Sequence, residues 1–88
     1  MTTIHPTALS DRLGLYHEAQ QRATRQAHEA RLALGRIAID DDPAASARHA
    51  YESSTVEEWA ALAAAARRIT HSDASAVQAA AKAVLALD

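Results

Sequence analysis

Nine positions of the first 39 residues recur at alternating steps of four and three: Leu9, Leu13, Tyr16, Gln20, Ala23, Ala27, Ala30, Leu34 and Ile37. This is the seam of a helix that packs lengthwise on another helix, sustained over about four heptads. Large side chains stand at its ends, alanine fills its middle, and Gln20 is the one polar member. Alanine at seam positions lets two helix axes approach more closely than leucine allows. The pattern predicts a first helix over about 7–39, opened by Pro6-Thr7 with Thr7 or Ser10 as N-cap. Gly35 offers an earlier C-cap inside that span.

Asp40-Asp41-Asp42-Pro43 ends the first helix and starts the second. Three carboxylates suit a helix N-terminus, and Asp42 as N-cap with Pro43 in the first turn predicts a short helix over 43–52. Ser54-Thr55-Val56-Glu57 reads as a capping box, a hydroxyl followed by glutamate three later. It predicts a third helix over 55–69, with Val56, Trp59, Leu62, Ala63, Ala66 and Ile69 on one face. Ser72 or Asp73 is the expected cap of a fourth helix over 73–87, with Val77, Ala80, Ala81, Val84 and Leu85 as its stripe. No segment sustains a period of two, so no sheet is expected. The chain reads as one all-α domain over 1–88, a small bundle of three to four helices built on a long N-terminal helix with an Ala-rich heptad seam.

Composition thins the expected core. Of 43 apolar residues 24 are alanine, only 15 are Leu, Ile or Val, and the aromatics are Tyr16, Tyr51 and Trp59. Small domains with thin cores often gain stability by oligomerising, so a homodimer is the expected state. Whether the seam pairs within the chain or across a dimer is open. The absence of cysteine removes disulfides, thiolate metal sites and a cysteine nucleophile. The longest apolar run, Trp59 to Ala66, ends at Arg67-Arg68 and is too short to span a membrane. MTTIHPTALSD has neither a basic nor an apolar leader region, and a cytoplasmic protein is expected. Eight arginines to one lysine, beside the alanine excess, point to a GC-rich genome of bacterial or phage kind.

Charge is unevenly placed on a chain of net −2: residues 1–39 carry +2, residues 40–58 carry −5 and residues 59–88 carry +1. No concentrated basic stripe of the kind that tracks a phosphate backbone is present, so nucleic acid is not the expected partner. Arg67, Arg68 and Lys82 around the Thr70–Asp73 turn are the residues a DNA-binding regulator would use. The would-be recognition helix presents only Ser75, Gln78 and Lys82 to base edges.

Candidate chemistry is sparse. The tripeptide HEA occurs at His17 and again at His28, eleven residues on, which is about three helical turns and a rise of about 16.5 Å. One zinc ion with bonds of about 2 Å cannot reach both rings in one chain. An antiparallel dimer crossing near Ala23 is the arrangement that would bring His17 to the partner's His28. A metal or small-ligand bundle would use His17, His28 or His49 turned inward. Glu18, Arg22, Arg25 and Glu29 follow at steps of four, three and four, which predicts two ion pairs along an exposed edge. His71-Ser72-Asp73 carries the letters of a catalytic triad without its geometry, and an N-cap is the better reading. Asp40, Asp41 and Asp42 lack the alternating ligands and central glycine of a calcium loop. They read as caps and as an acidic docking patch near Glu52, Glu57 and Glu58. Trp59 belongs to the core or anchors an interface.

These observations point to a non-enzymatic protein–protein interaction module, a small regulator, adaptor or inhibitor, without cofactor or metal. The residues expected to carry the interaction are Tyr16, Ala23, Ala27, Ala30, Leu34, Asp40, Asp41, Asp42 and Trp59.

Overall fold

A computed structural model describes the backbone of residues 6–88 and the side chains of residues 17–88. Four helices follow one another: α1 (Pro6–Ala38), α2 (Pro43–Ser53), α3 (Val56–Arg67) and α4 (Ser75–Leu87). No strand occurs among the described residues. Both α3 and α4 pack on α1, α3 packs on α4, and α2 packs mainly on α4.

The C-terminal third of the α1 seam forms one wall of the core. Ala30, Leu34 and Ile37 are 6%, 2% and 2% exposed. Leu34 and Ile37 join a cluster with Ala47 of α2, Trp59, Leu62 and Ala66 of α3, and Ala80, Ala81 and Val84 of α4. Removing a leucine or isoleucine side chain from water contributes about 2 kcal/mol, so these two positions fix α1 to the other helices. Alanines at the crossings keep the helix axes close, and Trp59 fills much of the remaining space. Its ring and that of Tyr51 stand T-shaped to one another, 5.0 Å between centroids and 89° between planes. That edge-to-face contact is a favoured aromatic geometry.

Gly35 does not end α1. The helix passes through it to Ala38, the glycine has no left-handed backbone, and the Ile39 amide still donates to the Gly35 carbonyl at 3.1 Å. The aspartates behave as helix-terminating residues. Asp42 caps α2 by accepting from the Ala45 amide at 3.2 Å, and Asp40 accepts from the Asp42 amide at 3.1 Å. Pro43 sits in the first turn, where its missing donor costs nothing.

Two caps differ from the sequence expectation. The capping box before α3 lies one residue later than Ser54-to-Glu57. Thr55 Oγ1 accepts from the Glu58 amide at 3.1 Å, and the Glu58 carboxylate accepts from the Thr55 amide at 2.9 Å. Val56 consequently stands in the first turn, almost fully exposed, instead of on the core face. The α4 N-cap is Ala74, with no side-chain hydrogen bond. Asp73 instead turns back to accept from the Thr70 amide at 2.8 Å, tightening the preceding turn. Gln78 reaches out of α4 to the carbonyls of His71 and Asp73, at 3.2 and 2.6 Å, and ties that turn to the helix. The inward positions of α4 run Val77, Ala80, Ala81, Val84 and Leu87, while Leu85 lies exposed.

Candidate interaction surface

The feature that sets this molecule apart is where α1 leaves the packed body. From Ala30 onward its seam is covered by its own chain, Ala27 is half-buried, and every residue from His17 to Arg25 is exposed. With about 1.5 Å of rise per residue, residues 6–25 form an arm about 30 Å long. The dimensions agree: the molecule measures 66 × 29 × 17 Å with a radius of gyration of 18.1 Å. A compact domain of this length has a radius of about 12 Å.

Local sequence explains why the arm is helical. Residues 15–34 contain neither glycine nor proline and are rich in Ala, Glu, Gln, Arg and Leu, which lose little freedom in a helix. Thr24 satisfies its hydroxyl by donating to the Gln20 carbonyl at 2.9 Å. No described residue buries residues 17–25, and a solitary helix of this length is marginal in water. A partner for the arm would supply the burial that the chain itself does not.

Two shallow grooves flank the root of the arm. One, of about 470 Å³, is mostly apolar and runs from Ala23 and Ala27 past Ala61, Ala65, Ile69 and Val77, with Arg31, Arg68 and Asp73 at its rim. The other, of about 660 Å³, is more polar and holds Glu29, Arg36, His49, Ser53 and Glu58 around Ala30, Ala33 and Ala50. The sequence did not single out Ala61 or Ala65, because an alanine on a helix carries no sign of what it will line.

The interaction residues expected from sequence fall into three groups. Ala23 and Ala27 lie on the arm and its root, while Ala30 and Leu34 on the same seam are occupied within the chain. The Tyr16 side chain lies outside the described residues, as do those of Leu9 and Leu13. Asp40, Asp41 and Asp42 are exposed in the α1–α2 connection, two of them engaged in the backbone contacts above. Trp59 is 9% exposed, which makes it part of the core and leaves little surface for a partner. The structure does not join these groups into one patch.

The remaining candidates separate further. His17 and His28 are both exposed on α1, and His49 lines the polar groove on α2. Among the described residues no three His, Asp or Glu side chains come together as a metal-binding group. The expected pairs Glu18–Arg22 and Arg25–Glu29 do not form; the ion pair found among the described residues joins Arg67 to Asp88. An exposed i,i+4 pair gains only a few tenths of a kcal/mol, too little to hold two long side chains in place. Arg67 is thus turned toward the end of α4, Arg68 borders the apolar groove, and Lys82 is exposed on α4. Thr70, Ser72 and Asp73 form a local hydroxyl–carboxylate network that shapes the turn and leaves no hydroxyl–imidazole pair. Glu58 has its carboxyl held below the usual carboxylate range, chiefly by the Thr55 backbone amide and then by the Thr55 hydroxyl. That shift belongs to a helix cap.

No helix of the described residues is long and apolar enough to cross a membrane. No family model, curated protein or solved structure matches this chain.

Proposed function

We propose that this chain is a non-enzymatic, cytoplasmic interaction protein, a small regulator, adaptor or inhibitor that works by binding another protein through its projecting helix. One observation carries the reading: a single helical seam is buried at Ala30, Leu34 and Ile37 yet continues past the body onto an exposed arm. A heptad pattern serves helix pairing and has little other use on a solvated surface. The groove beside the arm's root extends the same apolar surface onto α3 and α4. Homodimerisation is the resting state in this reading, since each copy exposes an arm of the same kind.

Sedimentation equilibrium at micromolar concentration, followed by capture of host proteins on wild-type and Ala23→Asp chains, tests it. Self-association or a captured partner that the substitution abolishes is expected. A chain that stays monomeric and captures nothing the substitution affects would end the proposal.

A further inference from the structure

We infer that the apolar groove at the root of the arm receives one amphipathic helix of a partner protein, about three turns long, with large apolar side chains on its buried face and carboxylates along both edges of that face. This rests on the interaction reading above and narrows it to one site and one kind of partner.

Shape calls for a helix. Ala23, Gln26, Ala27, Arg31, Leu34 and Gly35 line the groove from α1, at the three- and four-residue steps of a single helix face. Ala61, Ala64, Ala65 and Arg68 line it from α3 at the same steps. A slot walled by one face from each of two packed helices is where a third helix fits, its side chains entering between theirs. From Ala23 to Gly35 the α1 wall is about 18 Å long, room for about three turns.

Side-chain size sets what the occupant brings. Most of both walls is alanine or glycine, so a third backbone can come close. Ile69 and Val77 extend the apolar surface and are only half-buried. Large side chains on the incoming helix would fill the open volume of about 470 Å³, bulky against small across the contact.

Charge selects the polar residues of the partner. Arg31 and Arg68 stand exposed on the rim, one on each wall. Neither pairs with an acid among the described residues, where the ion pair joins Arg67 to Asp88. Asp73, the carboxylate at the rim, is already engaged by the Thr70 amide and hydroxyl. A cation on each wall is complemented by a carboxylate on each edge of the helix between them. The neighbouring polar groove has the opposite balance, Glu29 and Glu58 against Arg36 with His49 beside them, so an acidic helix is steered to the apolar one. Two arginines are too few to track a phosphate backbone.

A library of displayed amphipathic helices tests this, with leucine or alanine on one face and Glu, Lys or Gln drawn at random along its edges. Selection on the full chain should enrich glutamate at the edge positions. So short an interface lies at the weak end of the size range, and the enriched peptide should bind with micromolar affinity in fluorescence anisotropy. The double variant Arg31→Glu/Arg68→Glu should weaken that binding by about tenfold or more, since like charges then meet at the rim. The same peptide with lysine for glutamate should prefer the variant to the parent. Ala64→Trp fills the groove without changing its charge and should abolish binding of both peptides. Circular dichroism confirms that each variant is folded. Enrichment without a glutamate bias, or binding indifferent to the charge reversals, overturns the chemistry assigned to the partner. If no helix is enriched and Ala64→Trp alters self-association, the groove belongs to a second copy; the acidic partner is then refuted and the interaction reading survives. If Ala64→Trp changes neither peptide binding nor self-association, the groove is no docking site, and host capture decides the broader reading separately.

Discussion

Gly35 provides the sharpest check on the architecture. It sits inside α1 with ordinary right-handed backbone, and a Cβ built on it meets nothing within 4 Å. Replacing it with alanine therefore incurs no steric penalty and removes the entropic cost of glycine within a helix, about 0.8–1.0 kcal/mol. For a domain of this size that raises the melting temperature by about 4–8 °C. Had Gly35 been a C-cap, its φ would be positive, and alanine would lower stability by a comparable or larger amount. The two arrangements thus predict opposite signs. Thermal unfolding followed by circular dichroism is the assay, with urea titration as an independent measure, both at one fixed protein concentration because association shifts apparent stability. A Gly35→Ala variant that melts at or below the parent would refute a continuous helix from Pro6 to Ala38, and with it the single seam that links arm to body.

Other expectations follow from the body and its caps. Leu34→Ala should cost about 2–5 kcal/mol in urea unfolding, because a thin core cannot collapse into the space left by one of its few large residues. Asp42→Ala removes the acceptor for the Ala45 amide and should cost about 0.5–2 kcal/mol, read as a lower urea midpoint with unchanged slope. Glu58 has a lowered carboxyl pKa in the folded chain, so its contribution is present above the ordinary value of 4.5 and is lost as pH falls through the depressed folded value. The melting-temperature gap between wild type and Glu58→Gln should therefore be open at neutral pH and close in acid; a gap independent of pH would refute this role for the charge.

Much of the fold was legible because it depends on local rules. The 4–3 seam gave α1, and Asp42-Pro43 fixed the start of α2 through a short carboxylate and a residue with no donor to lose. The misplacements also have local causes. Ser54 and Thr55 are adjacent hydroxyls, each followed three residues later by a glutamate, so the sequence offers two capping boxes and only packing selects one. With Thr55 as the cap, Trp59 and Leu62 face inward and Val56 is the large apolar residue of α3 left exposed. Asp73 had two sets of amides within reach, and it tightened the turn behind it in place of capping α4. The candidate surface was less legible. Ala23 and Ala30 are the same residue on the same seam, one exposed and one buried, and no local signal says where α3 and α4 stop covering the helix.

That boundary gives the alanine excess its physical sense. Seven of the twelve buried core residues are alanine, so the body gains cohesion from closely approaching helices more than from bulky side chains. Close approach needs small residues on at least one face of a contact, and α3 and α4 supply them at Ala66, Ala80 and Ala81 in the cluster with Leu34 and Ile37. On the arm no such surface is provided by the described residues, yet the seam keeps its period through Ala23 and Ala27. A partner helix laid on the arm would extend the core by the same packing rule, and α1 would be long because its seam serves two contacts in succession.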